Sequence, residues 1–469
     1  MQKQLTNTIF LCLIFVFAFF LRVKFFIQAP CMWHDECSLG VNIFKKGLLD
    51  YFGSLDYMQS APPLFMELSK SFVSIFGAKE WVFRLIPFIS AICSIPIFYI
   101  FSKKFITNKA GLILANFLFA INYHLLMYTG EFKQYSSDIL FFMITFLILD
   151  NIKLENYKKI IPYSILFLII SQFSLPVIFL FAGFIFSNGF NKEIIKKEIL
   201  LFSPSVILIA IYSLLQSYDT ITYFKNYWNN GFITFTNIIP FIKSNFEYWF
   251  SPNNLIIPEL TMFITGIICL IKKQNKFLVY TFFFVFLASV LKIYPLLNRV
   301  GLYLIPSVIV IMLYSFNFIS TKKKFFTTII IIIALLSFRG YNISYAKQIL
   351  AKNTVLRPSG NVIMQNLAMK YNKNDIVLMN LASVSDYDFF TRYYNFFPQT
   401  YGILNTNEYS EAQYYEMLDK LPSGTLWFYF AYDYSKNPVI PWIKQWKTQK
   451  EVLFELHDGN SYLLYINKN

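Results

Sequence analysis

Long runs of apolar residues recur through the first 338 positions of this chain, and they restrict its fold more than any other feature. A helix needs roughly 20 apolar residues to cross a bilayer, and fewer where neighbouring helices bury it. Because lipid offers no hydrogen bonds to an exposed backbone, each run must be helical. Eleven candidate spans result: 8–27, 81–101, 109–127, 135–150, 160–172, 174–188, 199–216, 258–271, 277–293, 300–318 and 325–338.

Composition agrees with a polytopic α-helical membrane protein. Of the 469 residues, 56% are hydrophobic and only 14% are charged, which is far from the usage of soluble domains. The run at 8–27 has the position of a signal peptide, but it is longer than the usual apolar core and no small-residue cleavage site follows it. We therefore expect it to remain as the first span.

Basic residues predict the orientation of the chain. Its 41 Lys and Arg against 26 Asp and Glu leave a net charge of +15, mostly in short loops between candidate spans. Cytoplasmic loops are the ones enriched in Lys and Arg. With eleven spans, these lysine clusters all fall on one side, predicted as cytoplasmic: Lys103, Lys104, Lys109; Lys153, Lys158, Lys159; Lys192, Lys196, Lys197; Lys272, Lys273, Lys276; Lys322, Lys323, Lys324. The sequence contains no nucleic-acid-binding module, so nucleic acid is not an expected partner.

The last 130 or so residues differ in character from the rest. Charged and polar residues mix there with short β-rich runs at 375–379, 425–430, 451–456 and 461–466, while 361–371 and 410–420 have helical patterns. We predict a membrane domain at 1–339 and a small α/β domain at 340–469. Both the second domain and the loops opposite the lysine clusters are expected outside the cytoplasm.

The first extracytoplasmic loop has the most unusual polar sequence. It contains WHDE at 33–36, QSAPPLF at 59–65 and FGAKEWVFRL at 76–85. Residues 36–49 and 64–76 have the apolar spacing of helices that lie in the membrane interface. Carboxylates are costly near hydrocarbon, so Asp35 and Glu36 are functional candidates; the alternative is a solvated interfacial turn.

Further polar residues are predicted on the same side at a similar depth: Arg84, Glu131, Lys133, Tyr135 and Arg299. Acids mixed with Lys and Arg suit a phosphate-bearing, membrane-dissolved substrate, because Arg binds phosphate through its planar fork and Lys as a point charge. The cations also have simpler structural alternatives: an ion pair of Arg84 with Glu80, an ion pair of Lys133 with Glu131, and an interfacial anchor at Arg299.

Three further features have two interpretations each. His34 is either a hydrogen-bonding neighbour of the WHDE acids or a metal ligand beside them. Cys31 and Cys37 either pair in an oxidising compartment or stay free. The aromatic residues of 217–257 either stack on a sugar or form an interfacial belt: Tyr218, Tyr223, Tyr227, Trp228, Tyr248 and Trp249.

The ordered set WHDE, QSAPPLF and FGAKEWVFRL resembles the first outer loop of membrane glycosyltransferases of the C-type (GT-C) fold. The likeness is to the group around glycosyltransferase family 39, which includes protein O-mannosyltransferases and the aminoarabinose transferase of lipid A. GEFKQYSSD at 130–138 and NRVGLYLIP at 298–306 resemble matching places in bacterial members. The resemblance covers roughly residues 8–318.

This resemblance implies a multi-pass enzyme of the bacterial cytoplasmic membrane with its active site on the extracytoplasmic side. It implies inverting transfer of a sugar from a polyprenyl-phosphate-linked donor to a hydroxyl or phosphate on a lipid, glycan or protein. In that family an acidic residue of the first loop acts as base, and it maps onto Asp35. The lipid A branch has a Lys before the Pro-Pro pair where this chain has Ala61, so another cation must contact the phosphate.

Elementary chemistry is compatible with these roles. An acceptor hydroxyl must lose its proton as it attacks the anomeric carbon, and a carboxylate can take that proton. The leaving phosphate is a stable anion that fixed cations can stabilise. We predict that Asp35 is the base. Glu36 either orients Asp35 or binds a divalent cation together with it, and this cation is the one possible cofactor. The donor phosphate is predicted to contact Lys133, Arg299 and Arg84, and the substrate to contact His34, Gln59, Glu131 and Tyr135.

Other functional classes are kept as alternatives. A transporter or flippase of lipid-linked glycans needs polar residues in mid-span or broken helices in paired halves, whereas charges here gather at the predicted outer ends. A ligase or polymerase of surface glycans differs mainly in the donor linkage. An assembly or sensing protein would bind a partner through its C-terminal domain.

Overall fold

The structure, a computed structural model, describes residues 2–29, 31–154, 157–250, 257–272, 276–318, 360–404, 411–421, 423–431, 443, 445–447, 450–458 and 461–468. The described helices before residue 319 are α1 Gln2–Ile27, α2 His34–Lys45, α3 Pro63–Phe76, α4 Glu80–Phe83, α5 Leu85–Phe105, α6 Lys109–Ile121, α7 Tyr123–Met127, α8 Tyr135–Leu149, α9 Tyr157–Ser171, α10 Ile178–Asn188, α11 Lys192–Leu214, α12 Tyr218–Tyr227, α13 Ile238–Phe250, α14 Ile257–Lys272, α15 Lys276–Val290 and α16 Ile305–Tyr314. A 3-10 helix, Asn298–Leu304, leads into α16.

Ten of the eleven candidate spans coincide with these helices, and the eleventh, 325–338, lies outside the described residues. Three described helical segments are long and apolar enough to cross a membrane unaided, namely Thr8–Ile27, Leu85–Phe105 and Asn298–Asn317. Two bent helix pairs raise that number to five if each pair is one span. The described part is therefore a helical assembly of the multi-pass type, while the count of eleven spans stays a prediction.

Aromatic side chains fill the space between the helices. Phe98 stacks on Phe119 with ring centroids 4.2 Å apart, and Phe146 stacks on Phe277 at 4.6 Å. Because lipid tails are as apolar as these side chains, helix association in a membrane depends on such close packing rather than on the hydrophobic effect. The phenylalanine-rich spans thus pack against one another through ring contacts.

Two of the predicted cytoplasmic lysine clusters, those with Lys104 and Lys197, lie beside the segment that follows α8. Lys104 pairs with Asp150 between the ends of α5 and α8. Lys197, near the start of α11, donates to the carbonyl of Leu154 at 2.7 Å. Neither of these contacts involves a candidate site residue, and the side of the membrane on which the lysine clusters lie stays a prediction.

The first loop contains the two expected helices, α2 at 34–45 and α3 at 63–76. The Glu36 carboxylate reaches back to the backbone N–H of Trp33, at 3.4 Å, and satisfies one of the unpaired donors at the start of α2. The second helix begins at Pro63, whose missing N–H and fixed φ suit the first helical position. Both predicted interfacial elements are confirmed as helices.

The C-terminal region contains a five-stranded sheet in the order β2-β1-β3-β5-β4. Its strands are β1 Ile376–Asn380, β2 Thr400–Leu404, β3 Gly424–Phe430, β4 Glu451–Asp458 and β5 Ser461–Lys468, and its helices are α17 Gly360–Lys370, α18 Val384–Tyr393 and α19 Glu411–Asp419. Strands β2, β1 and β3 are parallel, and β5 and β4 form an antiparallel hairpin against β3. The four predicted strands are present; β2 and α18 were not predicted, and the boundary at 340 lies outside the described residues.

The C-terminal region packs directly on the first loop through one shared apolar core. The core contains buried residues from both parts: Met32, Leu39, Phe65, Phe83, Ile363, Phe389, Phe390, Trp427 and Tyr429. Gly40 makes the contact of α2 with α18 possible, since a Cβ at that position would lie 2.6 Å from Cε2 of Phe389. The α/β region is therefore packed against the first loop, close to WHDE.

Candidate active site

Asp35 and Arg299 form the centre of the candidate site. Asp35 lies in the first turn of α2, where the helix dipole favours a carboxylate. Its Oδ2 accepts from Nη1 of Arg299 at 2.5 Å, and both side chains are slightly less than one-fifth exposed. Arg299 follows Asn298, whose left-handed φ of 54° turns the chain at the entry to the last described span. Asn tolerates that conformation better than most residues.

Lys133 lies beside this pair, in the short segment between α7 and α8. Its side chain is only 6% exposed, and its Nζ donates to Oε1 of Gln59 at 2.7 Å. Burial lowers the pKa of Lys133, and the opposing effect of Asp35 does not restore its ordinary value. Burial raises the pKa of Asp35, but Lys133 and Arg299 outweigh it and hold that pKa below its usual range. The predicted base and two predicted phosphate ligands therefore share one electrostatic environment.

Glu36 and Arg84 form a separate buried pair directly behind Asp35. Arg84 donates through Nε and Nη2 to the two oxygens of Glu36, at 2.8 and 2.7 Å, and the backbone N–H of Phe132 donates to the same carboxylate at 2.6 Å. Glu36 is fully buried and Arg84 is 3% exposed. The guanidinium therefore faces Glu36, and the predicted contact of Arg84 with a donor phosphate stays a prediction.

The predicted substrate residues Glu131 and Tyr135 line the wall next to Lys133. Glu131 accepts from the indole N–H of Trp33 at 2.9 Å, which ties the GEFKQYSSD segment to WHDE. Tyr135 packs edge-on against Tyr128, with ring centroids 4.8 Å apart. The structure thus brings three of the predicted motifs, at 33–36, 59–65 and 130–138, to one place.

His34 faces the C-terminal region. Its Nδ1 lies 3.1 Å from Oδ2 of Asp386 and 2.9 Å from Oγ of Ser385, both in α18. Sequence reasoning missed Asp386, and it also missed Asp388, which contacts the first loop from the same helix. Nothing in the local run VSDYDFF distinguishes these acids from an ordinary solvated helix face.

The two WHDE carboxylates do not fit a shared divalent cation. Asp35 is directed to Arg299, whereas both oxygens of Glu36 are engaged by Arg84. Within the described ranges, no group of three or more His, Cys, Asp and Glu side chains is placed to hold a metal ion. No disulfide joins Cys31 to Cys37, and the Cys37 thiol donates to the carbonyl of Met32 at 3.6 Å.

Aromatic residues of the 217–257 segment approach the cation side of the site. The guanidinium carbon of Arg299 lies 5.9 Å from the ring centroid of Trp228, within the range of a cation–π contact. Tyr223 and Tyr227 stack on each other one turn earlier, at 5.6 Å. These rings adjoin the polar cluster, a position compatible with either of their predicted roles.

A pocket of about 420 Å³ lies away from this chemistry, at the lysine-rich end of the bundle. Asp150, Phe184, Asn188 and Phe277 are among its lining residues. None of the predicted site residues contributes to it.

Two solved structures match almost the whole chain, although no family model and no curated protein matches the sequence. The crystal structure of ArnT from Cupriavidus metallidurans bound to undecaprenyl phosphate matches with a TM-score of 0.60 and 9% identity, covering 98% of this chain and 97% of that chain. The apo structure of ArnT from the same organism gives 0.58 and 8%, covering 99% and 98%. ArnT is a lipid A aminoarabinose transferase with the GT-C fold. The GT-C fold implied by the sequence motifs is confirmed.

Proposed function

We propose that this chain is an inverting glycosyltransferase that moves a sugar from a polyprenyl-phosphate-linked donor to an acceptor hydroxyl or phosphate at the extracytoplasmic face of the cytoplasmic membrane. The observation that carries the proposal is the 2.5 Å contact of Asp35 with Arg299, with Lys133 beside it. The fold adds support, because ArnT, a protein of the same fold, has been crystallised with undecaprenyl phosphate.

The donor phosphate is assigned to Arg299 and Lys133. The fork of Arg299 can share its N–H groups between Asp35 and a phosphate oxygen, and the ammonium of Lys133 supplies a second positive charge. Both groups lie where the chain enters or leaves apolar helices, so a carrier lipid could remain in the bilayer while its phosphate reaches them. This cation pair takes the place of the Lys that Ala61 replaces.

The chemical step is a single displacement. The acceptor oxygen forms a bond to the anomeric carbon while the bond from that carbon to the phosphate oxygen breaks, and the electron pair leaves with the phosphate. Asp35 takes the proton of an acceptor hydroxyl, and Arg299 and Lys133 stabilise the departing anion. Attack from the face opposite the leaving group inverts the anomeric configuration.

Glu36 and Arg84 are assigned a positioning role. Their bidentate pair fixes the first turn of α2, and the bond from the N–H of Phe132 joins that turn to the segment that carries Lys133. Gln59 would orient the Lys133 ammonium, and Glu131 and Tyr135 would contact the substrate.

The test compares strains that carry the wild-type gene, a deletion and Asp35→Asn. Loss of a general base typically costs about 10²–10⁴ in rate, so Asp35→Asn should accumulate the same polyprenyl-phosphate sugar and lose the same glycan modification as the deletion. Mass spectrometry of lipids and glycans would identify both. Asp219→Asn, in an exposed position on α12, is the matched control and should behave as wild type. Full modification in the Asp35→Asn strain would overturn the assignment.

A further inference from the structure

One helix of the C-terminal region, α18, supplies two carboxylates to the first loop. Asp386 contacts His34, the residue before the proposed base, at 3.1 Å. Asp388 accepts from the hydroxyl of Tyr57 at 2.7 Å and from Nζ of Lys45 at 2.6 Å. The two acids therefore contact the first loop at His34, Lys45 and Tyr57.

The contact of Asp386 with His34 sets the orientation of the imidazole. Asp386 is 1% exposed, and a buried carboxylate is costly unless it is hydrogen-bonded. Its Oδ2 and the hydroxyl of Ser385 both lie within hydrogen-bonding distance of Nδ1 of His34. In a histidine ring the partner of one nitrogen decides which tautomer is present and where the other nitrogen points. Nε2 is on the far side of the ring from α18, and more than one-third of the side chain is exposed.

Asp388 holds a strained turn that leads to Lys133. Tyr57 and Met58 have left-handed φ values of 57° and 51°, a conformation that costs of order 1–3 kcal/mol for each residue and persists only where the surroundings impose it. The hydrogen bond from Tyr57 to Asp388 is one such constraint. Gln59 follows directly and accepts from Nζ of Lys133 at 2.7 Å.

We propose that Asp386 and Asp388 are positioning residues that make the C-terminal region part of the active site. Asp386 sets the imidazole of His34 toward the acceptor side, and Asp388 sets the turn through which Gln59 holds Lys133 for the donor phosphate. The inference rests on the proposed function for the identity of these ligands, but not for the contacts themselves.

The part of the proposal that concerns Asp386 and His34, the Asp386 half, is tested by NMR of protein labelled with ¹⁵N-histidine in lipid nanodiscs. The chain has only three histidines, so His34 can be assigned by comparison with a His34→Gln variant. We expect the ring nitrogens of His34 to report a protonated Nδ1, and Asp386→Asn to change that signal while His457, on β4, keeps its own. An unchanged His34 signal would overturn this half. If Asp386→Asn does not fold, Ser385→Ala removes the other contact to Nδ1 and should give a smaller change of the same signal.

The Asp388 half is tested by binding of undecaprenyl phosphate. Asp388→Asn and Tyr57→Phe should each weaken binding about threefold to tenfold, as expected for loss of one hydrogen bond that acts through Gln59 and Lys133. Asp388→Glu, which keeps the carboxylate, should recover part of the loss. Glu416→Gln, an exposed carboxylate on α19, is the control and should bind as wild type.

The two arms separate failure of the inference from failure of the proposed function. Unchanged binding by both Asp388→Asn and Tyr57→Phe would overturn the Asp388 half while leaving the proposed function intact. If the wild-type protein itself does not bind undecaprenyl phosphate, the proposed function and the Asp388 half both fail, and the His34 signal still decides the Asp386 half.

Discussion

Asp35 and Arg299 are 264 positions apart in the chain, yet their side chains meet at 2.5 Å. Asp35 is the proposed base for the acceptor proton, and Arg299 is a proposed ligand of the donor phosphate. In their contact the negative charge of Asp35 neutralises the positive charge of Arg299. A phosphate that binds Arg299 competes with Asp35 for the guanidinium. Donor binding is therefore expected to weaken the contact of Asp35 with Arg299, which leaves the carboxylate available to act as base.

This competition predicts opposite effects of Asp35→Asn on binding and on transfer. Removing the negative charge should tighten binding of undecaprenyl phosphate about threefold to tenfold, since one charged competitor for Arg299 is lost. Sugar transfer should fall by about 10²-fold or more. Equilibrium binding in nanodiscs measures the first effect, with Asp219→Asn as control. Weaker binding by Asp35→Asn would contradict the assignment of Arg299 to the phosphate.

The Glu36–Arg84 pair should behave as a buried structural ion pair. Glu36→Gln or Arg84→Met alone leaves an uncompensated buried charge and should cost about 3–5 kcal/mol of stability. The double variant removes both charges and should cost less than the sum of the single changes. Thermal unfolding of the purified protein measures these differences. The exposed Glu193–Lys196 pair is the matched control, and Glu193→Gln should produce no measurable change.

The lowered pKa of Lys133 predicts that binding of the donor phosphate weakens at alkaline pH. Because burial leaves the pKa of Lys133 below its ordinary value, the ammonium loses its proton at a lower pH than an ordinary lysine does as pH rises. Gln59→Glu places a carboxylate at the 2.7 Å contact, which raises that pKa and should shift the limit to higher pH. Lys133→Met should lack the limit and bind weakly throughout. The measurement is the binding of undecaprenyl phosphate as a function of pH for each protein. Coincident profiles for the wild type and Gln59→Glu would contradict the prediction.

Gly40 tests the docking of the C-terminal region on α2. Gly40→Ala puts a methyl group 2.6 Å from Cε2 of Phe389, and such overpacking costs about 1–3 kcal/mol. Phe389→Leu removes the ring, so the cost of Gly40→Ala should be smaller in that background. Gly47→Ala is the control, because the nearest atom to its Cβ is 3.8 Å away. Thermal unfolding is measured for the wild type, Gly40→Ala, Phe389→Leu, the double variant and Gly47→Ala. An equal effect of Gly40→Ala in both backgrounds would show that the Phe389 ring is not the obstacle.

Much of the fold could be predicted from the sequence because its determinants are local. A run of apolar residues such as 135–150 becomes a helix wherever lipid surrounds it, and α8 spans 135–149. The β-rich runs at 425–430 and 461–466 became β3 and β5 for a similar reason. The short strand β2 has a glycine at its centre, which weakens a strand, so its membership in the sheet depends on pairing with β1.

Candidate site residues could also be recognised, though not their partners. Acids mixed with Lys and Arg on the side predicted opposite the lysine clusters single out Asp35, Lys133 and Arg299 from sequence alone. Arg84 looked equivalent to them, yet it is sealed against Glu36, 48 positions away. Both arginines lie beside a WHDE carboxylate, and only the tertiary structure distinguishes the partly buried pair of Arg299 from the buried pair of Arg84.

The amino-acid sequence by itself determined the membrane-embedded helices, the two helices of the first loop and the polar residues grouped at one end. Only the tertiary structure decided which acid meets which cation, and that α18 places Asp386 against His34 across 352 positions. The physical reason is range. Burial of apolar runs acts on neighbours along the chain, whereas an ion pair exists only when packing elsewhere brings two distant side chains within a few ångströms.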